Sequence, residues 1–226
     1  MDTPFIPEFQ GNLRKHCLVV PECIRRCTGI KIFGKRIKSI VFTTDVSVIR
    51  NVNADAVIAV YPFTPQPIIT QSIMIASDIP VFCGVGGGIT MGKRVVNLAL
   101  HAEYQGAIGV VVNAPTLNET IRNVVDEIDI PVVVTVASEA EDIEGRIKAG
   151  AAIINVSAAS KTPQLVRKIR EQFPQLAIMA TGGPTDESII ETIEAGANAI
   201  TWTPPTNGEQ IKMIMDRYRQ GLAYGG

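Results

Sequence analysis

Two carboxylates stand at points where a buried apolar run gives way to a polar segment. Asp45 follows one such run and Glu139 follows another. A carboxylate in this position can take a proton from a bound molecule or return one, so Asp45 and Glu139 are the predicted catalytic residues. Each also precedes a segment with helical spacing. The alternative role of both is to cap that helix or to favour its dipole.

Uncharged polar side chains and glycines close most of the other apolar runs. Hydroxyl and amide groups can orient a ligand hydroxyl or carbonyl, and glycine lets the backbone approach a ligand closely. These positions are the predicted substrate-binding residues: Tyr61, Gly86, Gly87, Asn113, Asn155, Thr181, Gly182, Gly183 and Thr203. The alternative is that they form tight turns and cap the rim of the fold without contacting a ligand.

Motifs for metals and cofactors are incomplete. His16 lies near the N-terminus and His101 in a helical segment, so a histidine-based metal centre is not predicted. The glycine-rich residues 84–88 fit the dinucleotide pattern poorly, and the nearby P-loop pattern lacks its hydroxyl because Arg94 follows Lys93. Four cysteines stand at positions 17, 23, 27 and 83. They are interpreted as free buried thiols, and no metal and no cofactor are predicted.

Eight β-branched apolar runs position these residues, and each leads into an amphipathic segment. The runs cover residues 37–44, 54–62, 80–86, 107–114, 131–138, 151–158, 177–182 and 198–203. They lack polar alternation, as expected of parallel strands that are buried on both faces. Eight successive units predict a single closed (β/α)8 TIM barrel of the α/β class, with an open doubly wound sheet as the alternative.

The segments between the runs carry helical signals. Apolar residues at positions i, i+3, i+4 and i+7 predict helices that pack one face on the barrel. Two such stripes are Ile121, Val124, Val125 and Ile128, and Ile211, Ile214, Met215 and Tyr218. Gly106, Gly150 and Gly196 precede the fourth, sixth and eighth runs, and each is predicted to end a helix in a left-handed conformation.

The N-terminal residues and the overall composition indicate where the domain begins and what kind of partner it binds. Residues 1–36 are predicted to be an N-terminal extension that covers the bottom of the barrel, and residues 37–226 to be the barrel; a substrate-binding arm is the alternative for the extension. With 46% hydrophobic residues and a net charge of −1, the chain is typical of a globular domain that has no general attraction for nucleic acid or acidic membranes. The predicted partner is a small molecule, with no nucleic acid and no membrane, and a homo-oligomer is left open.

Targeting signals and membrane spans are absent from the sequence pattern. Residues 1–10 lack the basic start and continuous apolar stretch of a secretory signal. No apolar run reaches the roughly 20 residues that cross a bilayer. The predicted location is cytoplasmic.

One motif resembles a known group of barrels. Residues 180–183 (Ala-Thr-Gly-Gly), a helix beginning near Thr185 and residues 195–197 (Ala-Gly-Ala) resemble the phosphate-binding β/α barrels, which include sugar-phosphate aldolases, epimerases and thiamine- or histidine-pathway enzymes. The resemblance implies that the two glycines present backbone N–H groups to a phosphate at the helix start. The chain departs from these barrels after its last strand, where Pro204 and Pro205 cannot donate a hydrogen bond. The alternative is that the glycines only make a tight turn.

The same resemblance implies the predicted function. It is an isomerase, epimerase or lyase that acts on a small metabolite, phosphorylated or not, by proton transfer or carbon–carbon cleavage. A hydrolase in which Asp45 or Glu139 activates water is one alternative. A ligand-sensing barrel without catalysis is the other, because no Lys or His is predicted at a strand end.

Overall fold

The computed structural model describes residues 18–221 together with Phe5 and Pro7. His16, Cys17, the rest of the first 17 positions and the tail beyond residue 221 lie outside the described residues. The described strands are β1 (Ile30–Ile32), β2 (Lys35–Ile37), β3 (Ser39–Phe42), β4 (Ala56–Ala59), β5 (Val81–Gly86), β6 (Gly109–Val112), β7 (Val132–Val136), β8 (Ile153–Val156), β9 (Ala177–Thr181) and β10 (Ala199–Trp202). The helices are α1 (Val46–Asn51), α2 (Pro67–Ala76), α3 (Lys93–Tyr104), α4 (Asn118–Val125), α5 (Ile143–Lys148), α6 (Thr162–Gln172), α7 (Asp186–Glu194) and α8 (Asn207–Arg219).

Strands β3 to β10 form a closed parallel barrel, which confirms the predicted TIM-barrel fold. Each strand pairs in parallel with the next along the chain. The barrel closes between its first and last strands, where Ile200 of β10 is in register with Ser39 of β3 and Thr201 with Ile40. Because neither strand is an edge, the open-sheet alternative is wrong.

The hairpin β1–β2 precedes the barrel and was missed in the sequence. Its turn residues Phe33 and Gly34 both have positive φ, 45° and 83°, as a two-residue hairpin turn requires. Ile37 therefore pairs with Ile30 in the hairpin instead of beginning the first barrel strand, so the predicted strand 37–44 is too long at that end. The Ile-Lys-Ile and Lys-Arg-Ile alternation around Gly34 is the signal that could have found it. The predicted domain boundary at residues 36 and 37 stays a prediction.

The core has an inner and an outer part. The inner part fills the barrel and continues into the hairpin, where Ile30 and Ile32 join Phe82 and Met179 in one buried cluster. Gly109 makes room for the ring, since a Cβ there would stand 2.8 Å from Phe82. The outer part packs the helices against the outward faces of the strands. Strands buried on both faces explain the lack of polar alternation in the sequence.

The helices follow the sequence signals except at the C-terminal end. Gly106, Gly150 and Gly196 have φ between 90° and 113° directly after α3, α5 and α7, which confirms their helix-ending role. Ile121 and Val124 of α4 are fully buried, as predicted. The stripe on α8 is different, because Ile211, Met215 and Tyr218 stay 56%, 44% and 53% exposed. The prediction that this face packs on the barrel is wrong for these three residues.

The described cysteines are free thiols. Cys27 and Cys83 are buried and Cys23 is partly buried, so the predicted burial holds for two of the three. Burial raises the pKa of both the Cys27 and the Cys83 thiol to about 12, which makes each a poor nucleophile at neutral pH. Among the described helices, none has the length and apolarity that spanning a membrane requires.

Candidate active site

A cavity of about 580 Å³ opens at the carboxyl ends of the barrel strands. Its wall consists of residues 42–45, 60–62 and 203–207 together with Val48 and Asn113. We call it the mouth cavity. In barrel enzymes the active site lies at this end, where the loops after the strands converge. The predicted residues that line it are Asp45, Tyr61, Asn113 and Thr203.

Asp45 is the only charged side chain among the described residues of the cavity wall. Its Oδ1 atom accepts hydrogen bonds from the Ser47 hydroxyl at 2.6 Å, the Ser47 N–H at 2.7 Å and the Val48 N–H at 3.4 Å. The Ser47 hydroxyl above all, with these N–H groups and the Asn207 amide, holds the pKa of the Asp45 carboxyl below its usual value. Asp45 therefore caps α1, as the alternative interpretation proposed, and faces the cavity as an ionised group. Its catalytic role stays a prediction.

Removing this cap has a measurable consequence. Asp45→Ala should lower the free energy of unfolding by about 1 kcal/mol near neutral pH, because the α1 N–H groups lose their acceptor. The folded pKa of Asp45 lies below the unfolded value of about 3.9, so the stabilisation is present above that pH and is lost as the pH falls through the folded value. Urea unfolding near pH 7 and near pH 2 checks this.

The control for the cap variant is Asp216→Ala. Asp216 is an α8 residue with a half-exposed side chain that forms an ion pair with Arg219 at 2.7 Å. We expect it to change the free energy of unfolding by less than about 0.5 kcal/mol at either pH. An Asp45→Ala effect that is as large in acid as at neutral pH would contradict the assignment of the ionised carboxylate as the cap.

Tyr61 and Asn113 connect the mouth cavity to a narrow cleft. The Tyr61 hydroxyl oxygen accepts a hydrogen bond from the Gln66 N–H at 3.0 Å, and no acceptor for the hydroxyl proton is found among the described residues. That proton can therefore be donated to a ligand. Both residues also line the cleft, together with Gly86 and Gly87. The structure thus brings these two predicted glycines beside two predicted polar residues.

Arg146 holds the loop that carries Asn113, and no sequence pattern predicted this contact. Its guanidinium group donates to the carbonyl oxygen of Ala114 at 2.6 Å, to the carbonyl oxygen of Thr116 and to Asn118 Oδ1 at 2.9 Å. The Arg146 side chain is only 12% exposed. Arg146 belongs to α5 and its partners follow β6. Its role therefore depends on contacts between residues about 30 positions apart in the sequence.

A second polar group lies inside the barrel on strands β7 to β10. The Asn155 amide donates to the Thr135 hydroxyl at 3.2 Å, and Thr181 bonds to the Ser157 hydroxyl at 3.3 Å. Asn155 and Thr201 are 7% and 5% exposed. Asn155 Oδ1 and Thr201 Oγ1 have no hydrogen-bond partner among the described residues. Asn155 and Thr181 belong to the predicted set, whereas Thr135, Ser157 and Thr201 do not.

The helix start after Gly182 and Gly183 is partly occupied by its own side chains. Thr185 accepts from the Ser188 N–H at 3.3 Å, so these two residues form a capping box. The backbone N–H of Glu187 and the Thr185 hydroxyl lower the pKa of the Glu187 carboxyl, which places an anion in the first turn of α7. Few N–H groups and a carboxylate make this a poor phosphate site. Phosphate contact at these glycines stays a prediction.

Glu139 is not part of the mouth cavity. Its carboxylate forms an ion pair with Lys168 at 3.2 Å in a groove between α5 and α6, where both side chains are half exposed. The loop turns outward because Glu141 Oε1 accepts from the N–H groups of Ala137 and Ser138. The geometry gives no support to the predicted catalytic role of Glu139.

The cavity also contains residues outside the predicted set. Phe42 contributes a 40% exposed ring at the end of β3, and Asn207 at the start of α8 reaches Asp45. Asn207 is 162 positions from Asp45 and lies beyond the last strand, so only barrel closure brings them together. Among the described residues, no group of three or more His, Cys, Asp or Glu side chains is placed to hold a metal ion.

Solved structures share the fold at low sequence identity. A protein from Burkholderia cenocepacia assigned as a phosphonomutase has a TM-score of 0.63 and 17% identity, over 81% of this chain and 92% of its own. 2,3-dimethylmalate lyase, a member of the PEP mutase/isocitrate lyase superfamily, has a TM-score of 0.61 and 13% identity, over 88% and 83%. Phosphonopyruvate hydrolase in complex with oxalate and Mg²⁺ has a TM-score of 0.60 and 13% identity, over 84% and 85%. No protein-family model and no curated protein matches the chain. The chain is therefore similar to these proteins in its barrel fold.

Proposed function

We propose that the protein is a small-molecule enzyme of the isomerase or lyase type that transfers a proton in the mouth cavity. One observation carries the proposal: the Tyr61 hydroxyl, with its proton unused, and the ionised Asp45 carboxylate line the same cavity. Proton transfer requires at least one protein group that donates a proton and one that accepts a proton, both within reach of the same ligand.

The two groups divide the work on a substrate that contains a carbonyl. The Tyr61 O–H and the Asn113 amide are the donors that would hold the carbonyl oxygen and stabilise the negative charge that develops there. Asp45 would accept the proton from the neighbouring carbon or hydroxyl. Its lowered pKa makes it a weak base, so the C–H or O–H bond must already be activated by the carbonyl. Isomerisation and aldol-type carbon–carbon cleavage share this requirement.

The fold neighbours include one enzyme of this class and one of another. A lyase and a hydrolase occur on the same barrel. The Mg²⁺ named for phosphonopyruvate hydrolase does not fit the donors here, since Asp45 is the one carboxylate among the described residues of the mouth cavity. A hydrolase would also need a base strong enough to activate water, and a carboxylate with a lowered pKa is a poor one.

A ligand-sensing barrel is the second candidate, and the bonding of Asp45 favours it. Asp45 Oδ1 accepts three hydrogen bonds from Ser47 and Val48. The first role of the carboxylate is therefore to cap α1, and contact with a ligand comes second. No Lys or His side chain is found among the described residues of the cavity wall. A sensor needs the binding donors of the cavity but no acid–base pair.

Hydrogen–deuterium exchange separates the two candidates. The protein is incubated in D2O with small keto acids, hydroxy acids, aldoses and ketoses, free and phosphorylated, and loss of carbon-bound proton signals is followed by NMR. An enzyme should exchange at least one compound. Tyr61→Phe and Asp45→Asn should each slow that exchange about a hundredfold, the low end for acid–base groups.

Glu139→Gln is the matched control for the exchange experiment. It neutralises a carboxylate that lies outside the mouth cavity, and we expect the exchange rate to stay within about twofold of the parent. Saturable binding of a compound without exchange at any carbon would support the sensor and overturn the enzyme. Loss of folding stability without a specific change in rate would leave Asp45 as a cap only.

A further inference from the structure

The inner wall of the barrel is polar on one side, which is unusual for a buried surface. On β3 to β6 the inward positions are apolar or glycine, such as Ile58, Phe82 and Val111. On β7 to β10 the deeper inward positions are also apolar, but an amide and hydroxyls occupy the layer nearer the mouth. We call the group formed by Thr135, Asn155, Ser157, Thr181 and Thr201 the inner polar group. Burying such groups costs free energy unless each finds a hydrogen-bond partner.

Two members of the inner polar group lack that partner. Asn155 and Thr201 are each more than nine-tenths buried. Asn155 Oδ1 and Thr201 Oγ1 nevertheless have no hydrogen-bond partner among the described residues. The Thr135 hydroxyl accepts a hydrogen bond from the Asn155 amide N–H. This bond orients the amide and leaves its oxygen without a donor. An unpaired buried acceptor is destabilising, and two of them close together below the barrel mouth point to a ligand group that completes them.

The inner polar group lies just below the residues that line the mouth cavity on β10. Alternate residues of a strand point to the same side, so Thr203, which lines the mouth cavity, lies directly above Thr201 on β10. On the neighbouring strands, Ser157 is exposed and Thr181 is half-buried, whereas Asn155 is buried below them. The two unpaired atoms, which are themselves closed to solvent, thus lie beneath polar side chains that solvent reaches.

The charge of the surroundings selects the ligand. The inner polar group contains no charged side chain, and Asp45 in the adjoining cavity is ionised. The α7 and α8 starts after β9 and β10 both have capping boxes, formed by Thr185 with Ser188 and by Thr206 with Glu209. An anion would meet carboxylates and few free donors here, whereas a neutral hydroxyl can donate to one atom and accept from another.

We infer that the inner polar group binds the hydroxyl-bearing, uncharged end of the ligand, as in a polyol or an unphosphorylated sugar. One ligand hydroxyl donates to Asn155 Oδ1, and another exchanges a hydrogen bond with Thr201 Oγ1. The inference deepens the proposed function, on which it rests for the use of the mouth cavity, by naming the substrate class. It replaces the phosphate that the resemblance implies.

Binding of xylitol to the whole protein tests the inference. Protein-observed NMR titrations with xylitol, glycerol 3-phosphate and inorganic phosphate report affinity without requiring turnover. Xylitol should give saturable shifts at Asn155 and Thr201 and should bind more tightly than either phosphate compound. Thr201→Val should weaken xylitol about fivefold, the effect of one hydrogen bond, while Thr201→Ser keeps the affinity.

Thr116→Val is the matched control. The Thr116 hydroxyl is also buried and unpaired among the described residues, but it does not belong to the cavity wall or to the inner polar group. Thr116→Val and Thr201→Val should both keep or raise the free energy of unfolding, and only the second should weaken xylitol. Equal affinity in both variants, tighter binding of glycerol 3-phosphate, or no xylitol binding up to its solubility limit would overturn the inference. Xylitol binding without any hydrogen–deuterium exchange would instead count against the proposed enzyme alone.

Discussion

Gly87→Ala is expected to lower the free energy of unfolding by about 3 kcal/mol and to displace Asn113 from the mouth cavity. Gly87 has φ of 109°, a conformation that side chains other than glycine rarely adopt. A Cβ at this position would stand 2.5 Å from Asn113 Cβ and 2.8 Å from Asn113 N. Backbone strain and overpacking therefore act together, and each contributes about 1–3 kcal/mol.

Gly88→Ala is the control that separates the two contributions. Gly88 also has positive φ, 74°, but a Cβ there meets nothing within 4 Å. It should be destabilised by about 1 kcal/mol from strain alone and should leave Asn113 in place. Urea unfolding gives the stabilities, and the amide NMR shift of Asn113 reports its position. Equal losses in both variants would mean that the contact with Asn113 has no energetic weight.

The difference between the two glycines also shows how the mouth is built. Asn113 N–H donates to the Gly86 carbonyl oxygen at 3.0 Å, so the β5 and β6 ends are joined beside the cleft. The glycine-rich residues 84–88 thus allow the ends of β5 and β6 to approach each other closely. Their poor match to the dinucleotide and P-loop patterns agrees with this packing role.

The barrel was predictable because its signals are local and repeated. Eight apolar runs and the glycines at positions 106, 150 and 196 each follow from a few adjacent residues. The strand ends then place Asp45, Tyr61, Asn113 and Thr203 at the mouth, as the sequence predicted. Strand ends identify residues near a barrel mouth without resolving the direction of each side chain.

The features that the sequence missed, or that the geometry does not support, depend on contacts between distant residues. Glu139 sits at a strand end like Asp45, but the Lys168 partner on another helix and the local bonding of Glu141 turn it outward. The contact of Asn207 with Asp45 needs barrel closure. The exposed stripe on α8 has helical spacing that does not reveal whether anything covers it.

Arg170→Met is expected to lower the free energy of unfolding by about 3 kcal/mol without changing the mouth cavity. The Arg170 guanidinium group donates to the carbonyl oxygens of Gly196, Pro174 and Leu176 at 2.8 to 3.2 Å and to Asn198 Oδ1 at 2.7 Å. Methionine keeps the packing of the stem, so the loss measures the polar head.

The Arg170 contacts lie at the opposite end of the barrel from the cavity, where β9 and β10 begin. Asn198 passes the interaction on, since its Oδ1 accepts from the Ile178 N–H at 2.9 Å and its amide donates to Thr28 at 2.9 Å. One side chain therefore joins two barrel strands to the segment that precedes the hairpin. Several carbonyl oxygens would lose their charged donor at once, which is why the expected loss exceeds that of a single hydrogen bond.

Arg167→Met is the control that separates the loss of the Arg170 hydrogen bonds from a general effect of removing an arginine from α6. Arg167 is exposed on the same helix, and its replacement should change the free energy of unfolding by less than about 0.5 kcal/mol. Urea unfolding of both variants, with xylitol titration of the folded Arg170→Met protein, completes the test. A small loss at Arg170, or a loss of ligand affinity equal to that of Thr201→Val, would contradict a clamp that stabilises the bottom of the barrel independently of the mouth.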